Sequence, residues 1–277
     1  WRMRKGSSAM RKIILGDNPF FAISHLDSSK SKEYLEDKDR FDNASKIIRS
    51  CKDLGIAHFM ISSHSETNDL LAASGFSHKF VDDLPKLCIV VPNVHELNKN
   101  AARNGIMSAL KKIFKIVLPT KAGFISVLSG VRLSGNVSHL ALHNVVSDLL
   151  IGLNSRFAFK LFHYFCKTFR LKSVILTLNP IHFLKLGVPC DVVCTYYNET
   201  HYNVCYSVPE LFEALESMSK RPEIWAMGIS ASGAVSSDRW SRDQDLSRFD
   251  GTVVASSRRE RITKMAEDAR GKESRHI

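Results

Sequence analysis

Short apolar runs alternate with amphipathic stretches along most of the chain, and each run stops at Gly, Pro, Asn, Ser or Tyr. Lys12 to Leu15 ends at Gly16-Asp17-Asn18-Pro19, Ala57 to Ile61 at Ser62-Ser63-His64, and Leu87 to Val91 at Pro92-Asn93. Ile116 to Leu118 ends at Pro119, Val174 to Leu178 at Asn179-Pro180, and Asp191 to Thr195 at Tyr196-Tyr197-Asn198-Glu199. Ile224 to Ile229 ends at Ser230-Ala231-Ser232-Gly233, and Thr252 to Val254 at Ala255-Ser256-Ser257. Runs this short, apolar and bounded by turn residues read as buried strands.

Between the runs the period changes to that of a helix. Ala44, Ile47, Ile48, Cys51 and Leu54 share one face, with Asn43 as the expected cap and Gly55 as the stop. A helix is expected near 97–113. Pro180 can open another, because its missing N–H costs nothing at a first helical position. Ser207-Val-Pro-Glu210 reads as a capping box with the proline as first helical residue, ahead of Leu211, Phe212, Leu215 and Met218. Ile262, Met265, Ala266 and Ala269 line the closing helix. The stretch 123–170 is the least regular. It holds a strand-like run at 124–128 and two helical patterns at 138–152 and 156–169, and reads as a helical insertion.

Strand–helix alternation makes a parallel sheet, and eight such units suggest closure. The expected fold is a single (β/α)8 TIM-type barrel over 10–271, with tails at 1–9 and 272–277. The 277 residues suit it, since one barrel takes about 250. A doubly wound open sheet is the alternative, and it lacks a GxGxxG after the first strand.

Composition narrows the class. Hydrophobic residues make up 44%, enough for a large core. The apolar stretch 137–153 is broken by His139, His143 and Asp148, so no membrane span and no membrane partner are expected. The six cysteines include no CxxC pair and read as reduced thiols of a cytoplasmic protein. The net charge of +11 raises nucleic acid as a partner, but no nucleic-acid motif accompanies it. A small anionic metabolite suits the charge better. Oligomeric state is not legible.

Barrel chemistry sits at the C-terminal ends of the strands. Asp17 follows a buried strand directly, where desolvation would raise its pKa toward acid–base use; an Asx-turn is the bland reading. His64 and Glu66 alternate on one segment, as do Glu199 and His201, so each pair can be base and partner, or the two together can hold a divalent metal. Tyr196 and Tyr197 can donate a proton, stack on a ring or simply pack. Asn18, His25 and His95 are further strand-end or loop candidates. The loops after the last two strands, with Ser232, Gly233, Ser256, Ser257 and Arg258, offer backbone N–H groups, a helix N-terminus and guanidinium to an anion. Helix capping is the simpler role for these serines.

Those last two loops, over 224–269, resemble the stretch by which aldo-keto reductases hold the phosphate of their cofactor. The resemblance implies a (β/α)8 barrel and an NADP-type cofactor. It does not extend to that family's catalytic set: Ser62-Ser63-His64 stands where Asp and Tyr are expected after the second strand, and Pro92-Asn93 where Lys is expected after the third. An aldolase-type barrel would share the same phosphate loops.

Three functions therefore stand open. The first is an enzyme of lyase or isomerase type acting on a small anionic metabolite, phosphorylated or not, with Asp17, His64, Glu66, Tyr196 and Glu199 in the pocket. The second is an NADP- or flavin- (FMN-) dependent oxidoreductase. The third is a noncatalytic barrel that binds a ligand or a partner through 123–170.

Overall fold

The structure is a computed structural model and describes residues 11–21, 23, 39–64, 66–77, 79–92 and 135–270. Eight parallel strands form a closed barrel in sequence order. They are β1 (Lys12–Gly16), β2 (Ile56–Ser62), β3 (Lys86–Val91), β4 (Val137–Leu142), β5 (Lys172–Thr177), β6 (Val192–Tyr196), β7 (Glu223–Met227) and β8 (Gly251–Val254). β8 pairs back to β1, Lys12 opposite Gly251 and Leu15 opposite Val254.

The described helices are α1 (Arg40–Arg49), α2 (Thr67–Ala73), α3 (Asn144–Gly152), α4 (Arg156–Thr168), α5 (Pro180–Lys185), α6 (Val208–Glu216) and α7 (Arg259–Arg270). Their apolar faces cover the outside of the sheet, where Ile13, Leu15, Phe59, Ile61, Leu140, Leu142, Ile175 and Val193 join one continuous core with Ile47, Phe159, Leu211 and Ile262. Alternate strand residues point inward: Ile14, Met60, Cys88, Val90, Ala141, Val174, Cys194, Trp225 and Met227 fill the lumen. Burial on both faces is why these strands read as continuous apolar runs. Trp225 is the largest of the fill, and Gly251 makes room for it: a Cβ there would lie 2.6 Å from Trp225 Cδ1.

Most strand expectations match within a residue or two, and β4 does not. It lies at Val137–Leu142, overlapping what reads as the start of a helix at 138–152. Its inward positions are His139 and Ala141, one polar and one small, so the run lacks a strand's apolar continuity. The helix begins only at Asn144, with His143 as its cap, Nδ1 accepting from Val145 N–H at 3.2 Å. The expected strands at 116–118 and 124–128 and the helix at 97–113 lie outside the described residues. From 135 onward, the stretch read as a helical insertion is β4 followed by α3 and α4, a crossover with one helix more than the minimal unit.

Two caps also differ. Asn43 lies within α1, whose cap position is Asp39. Ser207 does precede α6, but its side chain makes no capping hydrogen bond, and Val208 rather than the proline is the first helical residue. All six cysteines are free thiols, four of them buried.

Candidate active site

The neighbouring strands β6, β7, β8, β1 and β2 bring most candidate residues to one side of the barrel mouth. Gly16 lets the end of β1 approach the end of β8 closely; a Cβ there would sit 3.2 Å from Val253 Cγ1 and 3.4 Å from Ala255 Cβ.

Asp17 is 4% exposed. One carboxylate oxygen accepts the Ser62 N–H at 2.6 Å, and its carbonyl accepts Phe20 N–H at 2.8 Å. The turn at Asp17 is thus closed by its backbone carbonyl and not by the carboxylate of an Asx-turn, and the carboxylate instead ties the end of β1 to the end of β2. Burial pushes its carboxyl up to about 6, against the lowering effect of the hydrogen bonds from Ser62 and from its own backbone. A buried acid that titrates near neutrality, at the catalytic end of a barrel, can take or give a proton at physiological pH. Asn18 follows, half-buried, and opens the 3-10 helix Asn18–Phe21.

His64 and Glu66 separate. The segment turns instead of running extended: Glu66 is the cap residue of α2, and His64 N–H donates to Thr67 Oγ1 at 2.9 Å. The His64 ring packs against Phe21, centroids 4.4 Å apart, while the Glu66 carboxylate binds Arg40. Glu199 is paired with Arg239 at 2.8 Å, and His201 sits at φ 54. The two Glu/His pairs therefore go to different partners in different loops. Among the described residues no group of three or more His, Cys, Asp or Glu is gathered as a metal would require.

The two adjacent tyrosines divide their roles. Tyr196 points to the lumen side and packs against its fill. Its ring lies on Gly228, where a Cβ would come within 2.5 Å of Cδ1 and where φ is +71, so the position demands glycine twice over. Burial raises the Tyr196 phenol above its ordinary value, so it stays protonated and able to donate. Tyr197 points the other way and is buried against Phe249; its hydroxyl donates to Asp243, with oxygens at 2.7 and 2.8 Å. Tyr206 OH donates to the Tyr196 carbonyl at 2.8 Å, and Asn198 accepts Tyr202 N–H at 2.9 Å, which together fix the loop after β6.

Beside this loop lies an open cleft of about 520 Å³, lined by Tyr197, Glu199, His201, Arg239, Arg242, Asp243 and Asp245. Arg239 and Arg242 come from the 3-10 helix Ser237–Arg242 in the long connection before β8. That connection was not singled out in the sequence. Its Arg/Asp density was the available signal, and it reads equally well as a solvated loop.

The two anion loops differ. In the first, Ser232 and Gly233 lie in the 3-10 turn Ala231–Gly233, with Gly233 at φ +101. The N–H groups of Ala231, Gly233, Ala234 and Val235 all donate to carbonyls between Gly228 and Ala231, so this turn closes on itself. In the second, Ser256 Oγ accepts Arg258 N–H at 3.1 Å, a local turn just ahead of α7 and not a cap on one of its helical N–H groups. Ser257 is half-buried, and Arg258, Arg259 and Arg261 are exposed at the start of α7.

His143 is a strand-end residue that the sequence offered only as part of an interface. Its N–H donates to the Val91 carbonyl at 2.8 Å, which places it at the mouth end of β4. It was missed because β4 was. Asp148 clasps the neighbouring strand end, accepting Thr177 Oγ1 at 2.5 Å and Leu178 N–H at 3.2 Å. Asn93, His25 and His95 lie outside the described residues.

No protein-family profile and no curated protein matches the chain. Solved structures do resemble it. A protein from Pseudomonas aeruginosa described as a "putative aldo-keto reductase" aligns with TM-score 0.55 at 13% identity, over 93% of this chain and 88% of that one. A "putative 2,5-diketo-D-gluconic acid reductase B" aligns with TM-score 0.55 at 13% identity, over 93% and 82%. Dispersin B aligns with TM-score 0.53 at 8% identity, over 94% and 98%. At such identities the likeness is one of fold: this chain is a barrel of the kind found in aldo-keto reductases and in other proteins.

Proposed function

We propose that the protein is an oxidoreductase of aldo-keto-reductase-like type, acting on a small carbonyl or hydroxyl compound with NADP as the cofactor. The observation that carries this reading is the start of α7. Arg258, Arg259 and Arg261 are exposed there together, on a helix of 12 residues whose N-terminal N–H groups favour an anion. Guanidinium donors at that place suit the phosphates of a dinucleotide. The shape likeness to reductase barrels adds weight, as does the resemblance of 224–269.

In this reading Ser256, Ser257 and Arg258 hold the phosphate-bearing part of the cofactor, and Asn18, at the neighbouring end of β1, lines its path. The cofactor, when bound, supplies hydride exchange with the substrate. Asp17 moves the proton that accompanies it, and Tyr196, kept protonated by burial, orients the substrate oxygen. Glu199 with Arg239 borders the outer cleft, and His64 and Glu66 serve the shape of the β2 loop.

A second reading is favoured by Asp17 itself. A carboxyl held near 6 also suits lyase or isomerase chemistry on a phosphorylated metabolite, without a cofactor. Thermal unfolding against NADPH, FMN, inorganic phosphate and sugar phosphates separates the two. A ligand at 100 times its dissociation constant adds about 2.7 kcal/mol of stability. The oxidoreductase reading requires a shift with NADPH that Arg258→Ala combined with Arg261→Ala reduces, each arginine contributing about tenfold in affinity. A shift with sugar phosphates alone transfers the assignment to the second reading. A shift with FMN alone keeps the oxidoreductase and changes its cofactor.

A further inference from the structure

We propose that the outer face of α3 and α4 is a docking surface for an anionic lipid bilayer. Val145, Leu149 and Leu153 follow one another at every fourth position and are 53%, 42% and 67% exposed. After the turn at Asn154, Phe157 in the first turn of α4 is 71% exposed, and Tyr164, 68% exposed, lies two turns along the same side of that helix. Large apolar side chains exposed together on two consecutive helices mark an interaction site. The opposite sides of both helices are already used: Val146, Leu150, Phe159, Phe162 and Cys166 belong to the core.

Charge selects the occupant. Arg156, Lys160 and Arg170 are exposed on or at the end of α4, and Lys167, also exposed, is paired with Asp191 at 2.6 Å. The sole acidic residue from 137 to 171 is Asp148, and its carboxylate is turned to the end of β5, where Thr177 and Leu178 bind it. A second copy would set these cations against themselves, on a chain already at +11. A peptide helix needs a groove, and this face is the outward side of two helices. Apolar and aromatic side chains ringed by Lys and Arg suit the headgroup boundary of a bilayer that carries negative charge. The polar breaks within 137–153 speak against a span and not against a surface contact, and among the described residues no helix is long and apolar enough to cross a membrane. A surface contact requires none.

The test is flotation of the full chain with phosphatidylcholine vesicles, with and without phosphatidylserine. The protein should float with the anionic vesicles, stay behind with the neutral ones, and be released by high salt. Leu153→Glu combined with Phe157→Glu should weaken binding at least about tenfold, without changing the melting temperature, since both side chains are solvent-exposed. Lys160→Glu should weaken it less. The proposal is overturned by absence of flotation, by equal flotation with neutral vesicles, or by unaltered binding of the double variant. Concentration-dependent self-association that the double variant abolishes would overturn it in favour of a second copy, and capture of an acidic amphipathic peptide without vesicle binding in favour of a protein partner.

Discussion

The two ends of the barrel lumen hold buried ionisable groups in opposite ways. At the closed end Glu223 binds Lys12 at 2.7 Å and Lys172 at 3.2 Å, and Trp225 Nε1 donates to it at 3.2 Å. Above these sit His58 and His139, rings 4.8 Å apart and both against Trp225. Burial drives both imidazoles neutral, His58 down to about 4 and His139 to about 3, and the nearby lysines reinforce it. At the open end Asp17 is equally buried, and its hydrogen bonds come from uncharged donors. Desolvation removes the charge from histidine well below neutral pH and brings aspartate up to it. The same desolvation therefore makes one end inert and the other titratable, in keeping with the division of barrels into a stabilising face and a reactive face.

The sharpest way to break this comparison is Trp225→Ala. It empties the closed end and should destabilise the protein by about 3–5 kcal/mol, read from urea unfolding. An undiminished midpoint would mean that the lumen fill does not carry stability.

Asp17→Asn tests the open end. Turnover should fall by about a hundredfold or more, since proton transfer by a positioned group contributes that much. Stability should move the other way. A carboxyl whose folded value lies above its unfolded one binds more protons when folded, so its contribution declines as pH rises from about 4 to about 6 and stays unfavourable above. The asparagine variant, which keeps an acceptor for Ser62 N–H, should therefore melt higher than the parent at pH 8 (roughly, up to about 3 kcal/mol) and no higher at pH 4. Equal melting at both would show that Asp17 is not held near 6.

The histidines give the opposite slope. Their folded values lie below the unfolded one, so the stability they contribute is full above about pH 6.5 and falls as pH drops toward about 4. His139→Gln, measured between pH 7 and pH 4, should flatten part of that acid limb at about 1–2 kcal/mol. A limb as steep as the parent's would assign acid lability elsewhere.

The smallest effect belongs to Glu199→Gln. It removes an ion pair with Arg239 in an open cleft, and such exposed pairs contribute about 0–1 kcal/mol, so unfolding should hardly change. Its effect on turnover would say whether the cleft receives substrate.

Much of the fold was legible because strands buried on both faces cannot hide. Ile13 to Leu15, Leu87 to Val91 and Val192 to Cys194 are apolar inward and outward alike, and Pro180 marks the first residue of its helix. β4 escaped because its inward positions are His139 and Ala141. The site was legible in part. Asp17 stood out by following a strand directly, while Ser256 forms a turn before α7 where a cap was expected. The pairing of His64 with Glu66 failed, because spacing along a segment does not say whether the backbone is extended or turned. Arg239, Arg242 and Asp243 went unmarked, because an Arg/Asp-rich connection looks the same whether it borders a cleft or water.

By itself the sequence determined strand–helix alternation at seven of the eight strands, a doubly buried sheet and an acid at the first strand end, since these follow from local period and apolar content. The tertiary structure decided which residues share the mouth: that Tyr196 lies on Gly228 while Tyr197 turns to Asp243, that the 230–235 turn closes on itself, and that Glu66 and Glu199 are claimed by different arginines. Those outcomes depend on barrel closure, which brings β8 against β1, and no local pattern along the chain encodes that distance.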